Sequence, residues 1–247
     1  MINISDYSTS PPKDADRDKL EKETKAYSKR LAELHNLVLA SKSHSVLVIL
    51  QGMDASGKDG AVKEVFKYCT HNNFRTYSFK KPTEEEFGHD FLWRVHKQCP
   101  QKGELVVFNR SHYEDILIQR VHGWITEEHA MARMEAINSF EELLAFDNNT
   151  IIFKFFLHIS YEQQQIELQQ RLDEKEKHYK HNANDWEERK QWDKYMDCYE
   201  FALNESDIPW TVVPVDSRWY RNYIISKTMV ERLESLGLEY PPLKEEK

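Results

Sequence analysis

Tyr27, Leu31, Leu34 and Val38 recur at spacings of 4, 3 and 4, which lays one apolar stripe along a helix from about Ala15 to Ser41. The pattern then changes. Val46-Leu47-Val48-Ile49-Leu50 is apolar without a break and ends at Gly52. It is too short for a buried helix and predicts a buried strand. Past the glycines, Val62, Val65, Phe66 and Cys69 share a helical face. Leu105-Val106-Val107-Phe108 predicts a second strand, and Met131, Met134, Ile137 and Leu144 a helix over about 127–147. Ile151 to Leu157 predicts a third strand and Trp210-Thr211-Val212-Val213 a fourth. A last amphipathic helix carries Ile225, Met229, Leu233 and Leu236, and a further strand fits Arg75 to Phe79.

Strands that alternate with helices predict an α/β domain with a parallel sheet, and fully apolar strands imply helices on both of its faces. Residues 1–14 form a polar, proline-containing arm. Tyr161 to Leu203 is helical but highly charged and does not fit the core layers. It reads either as a solvated helical hairpin or as a lid of basic and aromatic residues over a site. The chain thus divides into an arm and helix (1–44), a main domain with its lid at about 161–203 (45–240), and a tail (241–247).

Charge adds a location. The 247 residues carry a net −8, but residues 58–120 hold 11 basic and 9 acidic side chains and are the only positive segment. A polyanionic substrate would dock there. The acidic total and the lack of a DNA or RNA module pattern argue against nucleic acid. Cys69, Cys99 and Cys198 are three in number without a C-x-x-C, which argues against a disulfide framework and points to reduced thiols in the cytoplasm. The N-terminus lacks the pattern of a signal peptide, and no apolar run reaches membrane-spanning length.

The strongest local signal is Gly52-Met53-Asp54-Ala55-Ser56-Gly57-Lys58. It matches G-x-x-x-x-G-K between a predicted strand and a predicted helix, the context of a phosphate-binding loop. Glycines let backbone amides turn inward around phosphate oxygens, the helix N-terminus adds its dipole, and Lys58 adds a charge. Three of the seven glycines in the chain, Gly52, Gly57 and Gly60, fall within this segment. The simpler reading, a tight turn without a ligand, leaves that clustering unexplained. Asp59 stands where a Ser or Thr usually holds Mg²⁺, so a carboxylate must do so, and Asp54 is the candidate.

A second burst of polar side chains, Asn109-Arg110-Ser111-His112-Tyr113-Glu114-Asp115, follows the second strand. Ligands of open α/β sheets sit beyond the carboxyl ends of strands, so Asn109 and Arg110 should face the loop. Arg110 suits a moving phosphoryl group. Glu114 and Asp115 are candidate water or metal partners. His112 reads as a base, a phosphate donor, a phosphorylated nucleophile or a hydrogen-bonded structural residue.

Together, Q-G-M-D-A-S-G-K-D-G-A-V-K, S-F-K-K-P-T…H-D-F-L-W-R, F-N-R-S-H-Y-E-D-I-L, F-K-F-F-L-H-I-S, Q-R-L…Y-K…D-W-E-E-R…W-D-K-Y and P-W-T-V-V-P-V-D-S-R-W-Y resemble the polyphosphate kinase 2 family over about residues 30–240. The resemblance implies a three-layer α/β/α P-loop kinase-like fold with a helical lid. It implies reversible transfer of the terminal phosphoryl group of inorganic polyphosphate to nucleotides, with Mg²⁺, or Mn²⁺ in its place, as cofactor. Asp54, Lys58, Arg110 and the lid residue Arg171 would be catalytic, and Gly52, Met53, Ala55, Ser56, Gly57, Asp59 and Gly60 would complete the phosphate loop. Lys80, Lys81, Arg94, Asn109, Ser111, Tyr113, Glu114 and Lys180 would contact polyphosphate or nucleotide, and Asp54 and Asp115 would hold metal. Asn109 replaces an Asp found in many members. It belongs with the F-N-R-S-H-Y-E branch, which tends to accept both mono- and diphosphates: AMP and ADP, and the guanine pair GMP and GDP. Tyr179-Lys180 replaces a Trp-Lys pair in the lid. A homodimer or homotetramer is also implied.

Direct in-line transfer fits these residues and needs no protein nucleophile. The competing readings are an ATP-dependent nucleoside monophosphate kinase on the same fold and a non-catalytic nucleotide- or polyphosphate-binding module.

Overall fold

The computed structural model describes residues 2–243; four residues of the expected tail, 244–247, lie outside them. The elements in chain order are α1 (Arg17–Ser41), β1 (Ser45–Gln51), α2 (Lys58–Val65), β2 (Phe74–Ser78), the single turns α3 (Glu84–Phe87) and α4 (Trp93–His96), β3 (Leu105–Asn109), α5 (Glu114–Val121), α6 (Glu127–Asn148), β4 (Thr150–His158), α7 (Tyr161–Asp173), a 3₁₀ segment (Lys175–Lys180), α8 (Asn184–Arg189), α9 (Trp192–Asn204), β5 (Trp210–Pro214) and α10 (Arg218–Glu234).

The five strands form one parallel sheet in the order β2-β3-β1-β4-β5. All seven residues of β1 are buried, as its unbroken apolar run predicts for the central strand. β2 is one of the two edge strands and stays partly exposed, which is why its pattern is weak. α1, α2 and α10 pack on one face of the sheet and α5, α6 and α9 on the other. The α1 stripe of Leu31, Leu34 and Val38 is buried, Asp16 caps the helix through the Lys19 N–H, and Arg30 reaches across to Glu234. Chain order reverses around β1: the chain runs out to β2, returns to β3 and crosses to β4. This switch point opens a crevice at the carboxyl ends of β1 and β3.

The stretch 161–203 divides. α7, the 3₁₀ segment and α8 stand over the crevice, but α9 buries Tyr195, Cys198, Tyr199, Ala202 and Leu203 against the core. Its stripe is built from tyrosines between charges, so it does not read as apolar. The arm is also fastened down: Ile4 is buried, and Thr9 donates to Asp216 at 2.6 Å. Among the described residues no helix is long and apolar enough to cross a membrane.

Candidate phosphoryl-transfer site

The crevice holds a cavity of about 550 Å³, with Asp54 to Gly60 as its floor. Gly52 has φ +148°, and a Cβ there would stand 2.6 Å from the Leu157 carbonyl oxygen, so β4 passes too close for any other residue. Gly57, at φ +86°, caps α2. The first N–H groups of α2 therefore open onto the cavity without intrahelical partners, an arrangement that favours anions.

Lys58 is buried, and its Nζ donates to the carbonyls of Gly52 (2.7 Å) and Met53 (3.1 Å) and to Ser56 Oγ (3.4 Å). Gly52 and Met53 thus serve from behind the loop rather than from the cavity wall. Burial, with Arg110 adding repulsion, lowers the Lys58 pKa to about 8.

Arg110 leaves β3 at φ +62°, an unusual conformation for a residue with a side chain. Its N–H bonds the Leu50 carbonyl at 3.1 Å, and its guanidinium donates to Asp54 Oδ1. Glu114, 3.9 Å away, and Asp54 raise its pKa, while burial raises that of Glu114. The backbone turn thus aims the guanidinium across the crevice at the loop. Asn109 Nδ2 donates to Asp59 Oδ1 at 2.6 Å, and Lys180 Nζ lies 3.7 Å from Asp59 Oδ2. From the lid, Arg171 donates to Asp185 (2.6 Å) and to the Lys180 carbonyl (3.1 Å). Burial and the nearby Asp54 raise the Asp185 pKa.

With this geometry established, comparison with known proteins is specific. The family description Polyphosphate kinase 2 (PPK2) matches residues 14–239. The chain belongs to the polyphosphate kinase 2 family. An AMP/ADP-polyphosphate phosphotransferase from Meiothermus ruber is 47% identical over 217 residues, covering 87% of this chain and 81% of its own length. An ADP-polyphosphate phosphotransferase from Rhodopseudomonas palustris is 41% identical over 227 residues, covering 86% and 78%. The crystal structure of Polyphosphate Kinase 2 from Arthrobacter aurescens TC1 superposes with a TM-score of 0.95 at 36% identity, covering 100% of this chain and 90% of that one.

In this polyphosphate kinase 2 chain, several residues expected at the site lie elsewhere. Arg94 is buried; it donates to the Lys80 carbonyl at 2.8 Å and to Asp115 Oδ2 at 3.3 Å. It therefore props the segment that brings Lys80 to the cavity and does not line the wall. Asp115, expected to hold metal, is taken by Arg94 away from the cavity, and burial raises its pKa. Lys81 is exposed outside the wall. Ser111 is buried; its hydroxyl donates to the Gln51 side-chain oxygen at 3.1 Å and accepts from the Tyr113 N–H. The Tyr113 hydroxyl is in the core, accepting from Lys154 (2.7 Å) and donating to Glu141 (3.0 Å). His112 is also fully buried and faces Glu141 at 3.2 Å, the structural reading of that histidine.

Three charged residues at the cavity carry no local sequence signal, Glu167, Lys177 and Arg221, and a fourth, Arg218, lies in the P-W-T-V-V-P-V-D-S-R-W-Y segment without being among the expected site residues. They reach it from α7, the 3₁₀ segment and α10, elements the fold brings back over the loop. In all, eight basic side chains line the cavity against three carboxylates, Asp54, Asp59 and Glu167. This is a positive basin in an acidic protein.

The family implies a divalent metal. Among the described residues no cluster of three or more His, Cys, Asp or Glu side chains forms a metal cage. Asp54 and Asp59 are the carboxylates that the loop presents to the cavity, a one- or two-carboxylate donor set of the kind that a divalent ion completes with phosphate oxygens and water.

Proposed function

We propose that the chain transfers the terminal phosphoryl group of inorganic polyphosphate to ADP and AMP, forming ATP and ADP. The observation that carries this reading is the concentration of eight basic side chains around one phosphate loop in a chain of net charge −8. A nucleotide alone needs fewer cations than a chain of phosphates does.

In the step itself, a terminal phosphate oxygen of the acceptor attacks the terminal phosphorus of polyphosphate. The bond from that phosphorus to its bridging oxygen breaks, and polyphosphate leaves one unit shorter. The attacking oxygen is already ionised, so no base is needed, consistent with His112 being turned into the core. Lys58 and the loop amides hold the donor phosphates. Arg110 spans from the acceptor side to the moving group, where its planar fork meets charge spread over equatorial oxygens. Arg171 and Lys180 bring the lid over the site, which excludes water as a competing acceptor. Asp54, with Asp59 beside it, would hold Mg²⁺, which neutralises phosphate charge when bound.

The 47% identity to an enzyme named for both AMP and ADP supports acceptance of both, as does Asn109 in the F-N-R-S-H-Y-E segment. Three free cysteines suit a reducing cytoplasm. A homodimer or homotetramer is checked by light scattering. The deciding experiment supplies purified protein with polyphosphate, Mg²⁺ and either ADP or AMP. ATP formed only when polyphosphate is present supports the reading. ADP formed from AMP and ATP, with polyphosphate inert, would replace it with an ordinary nucleoside monophosphate kinase.

A further inference from the structure

The eight basic side chains at the cavity differ in their partners. Arg110 meets Asp54, Arg171 meets Asp185, Lys177 meets Glu174, Lys180 meets Asp59 and Arg218 meets Glu167. Lys80 is exposed to solvent. Lys58 and Arg221 are buried, at 8% and 2% exposure, and neither is paired with a carboxylate among the described residues. Lys58 is accounted for by the loop motif. Arg221 is not.

Arg221 lies 164 positions from Gly57, yet its Nη1 donates to the Gly57 carbonyl at 3.0 Å. A Cβ on Gly57 would stand 2.2 Å from Nη1, and one on Gly60 would stand 3.3 Å from Nη2. The guanidinium therefore rests flush against the end of the loop and the first turn of α2. Nε and Nη2 donate to Asn222 Oδ1 at 3.0 and 2.9 Å, so the bonds made leave part of a five-donor fork unspent. Burial, with Arg218 adding repulsion, lowers its pKa to about 10. A buried cation without a counter-charge is costly, and one that also lines a cavity finds its counter-charge in the ligand.

We propose that Arg221 binds the polyphosphate donor at the α10 side of the phosphate loop and sets affinity for it, without touching the nucleotide. This rests on the functional reading above. The Asp54–Arg110 pair lies on the β3 side, to which the proposed mechanism assigns the acceptor. The row of cations ends at α10. Beyond Arg218 a second cavity is lined by four basic residues (Arg17, Lys25, Lys67, Arg218) and four acidic ones (Glu21, Glu64, Glu167, Asp216) and offers a polyanion no net attraction.

Two variants, Arg221→Gln and Arg221→Lys, test this with two readouts. In steady-state ATP synthesis, Arg221→Gln should raise the KM for polyphosphate about tenfold or more, the scale for losing a charge-assisted contact, with the KM for ADP unchanged. Arg221→Lys, which keeps the charge and loses the fork, should fall between. A raised KM for ADP, or a lower kcat with the polyphosphate KM unchanged, would make Arg221 a loop support only and overturn the proposal. The second readout needs no turnover: the rise in Tm that inorganic tripolyphosphate gives the wild-type protein should shrink in Arg221→Lys. An equal rise would overturn the proposal even if Arg221→Gln fails to fold. Wild-type protein that makes no ATP from polyphosphate would instead defeat the functional reading, while the tripolyphosphate shift still reports on Arg221.

Discussion

Asn109 Nδ2 donates to Asp59 Oδ1 at 2.6 Å, joining the last residue of β3 to the first turn of α2. In the sequence these are two separate departures: an Asp where a phosphate loop usually has Ser or Thr, and an Asn where many family members have Asp. In the fold they face each other, and the amide neutralises by hydrogen bond what would otherwise be two opposed carboxylates.

The substitution Asn109→Asp therefore loses a hydrogen bond and gains a like-charge contact. Stability without divalent metal should fall by about 1 kcal/mol, seen as a Tm lower by about 2–4 °C. Mg²⁺ should restore it, because two adjacent carboxylates make a better cation site. Thermal unfolding with and without Mg²⁺ checks both statements. A variant with unchanged Tm in chelator would show that Asp59 does not depend on the amide.

The relationship also marks how far the sequence could be read. The crevice was legible because both of its principal segments follow apolar strands and end in abrupt polar bursts, at Gly52–Lys58 and Asn109–Asp115. The second burst also hid a helix: α5 begins at Glu114 itself, so only Asn109 and Arg110 of this burst line the cavity, and Ser111 to Asp115 stay off its wall. A strand projects consecutive residues to alternate sides, but a helix rotates each by about a quarter turn. Nothing local could place Arg221 beside Gly57 across 164 positions. The α9 core face is not legible in the sequence because its buried residues are mostly tyrosine, cysteine and alanine set between charges.

Behind the Arg110 segment, Lys154 donates to Glu141 Oε2 at 2.7 Å, and both are essentially fully buried. Burial raises the Glu141 pKa, but the hydrogen bond from His112 and the charge of Lys154 outweigh it and leave the value lowered. A depressed carboxylate contributes stability above its unfolded pKa and loses it as pH falls through the folded value. Glu141→Ala should therefore destabilise by roughly 3–5 kcal/mol at neutral pH, because it strands Lys154 in the core. His112→Asn should retain substantial ATP synthesis. Abolished turnover with accumulation of phosphohistidine would replace direct transfer with a ping-pong mechanism.

Lys58, with its pKa near 8, predicts a pH dependence. The ammonium form binds phosphate, so kcat/KM for polyphosphate should decline as pH rises through about 8. Bound phosphate favours the charged form and raises the pKa in the complex, so kcat should persist to higher pH. For stability the sign is opposite. The unfolded chain holds this proton up to the ordinary lysine value, so the cost of the buried ammonium is relieved between about pH 8 and that value. Parallel profiles of kcat and kcat/KM for wild type and Lys58→Arg separate these effects. An arginine that keeps the same decline near pH 8 would assign it to another group.

Asp54 makes the sharpest test of the transfer site, because it is asked to do two things. It accepts from Arg110, and in the proposed mechanism its carboxylate also holds the divalent metal. Asp54→Asn keeps the shape and a hydrogen-bond acceptor for Arg110 but removes the charge. If the charge serves the metal, kcat should fall on the order of 10²–10³-fold, the scale for losing a main electrostatic contact, and Mg²⁺ should no longer raise the Tm of the nucleotide-bound protein. If Asp54 only anchors Arg110, the Asn variant keeps its Mg²⁺-dependent stabilisation and loses much less activity. Lys58→Ala, with a comparable loss of kcat but an intact response to Mg²⁺, is the companion that tells removal of a phosphate contact from removal of a metal contact.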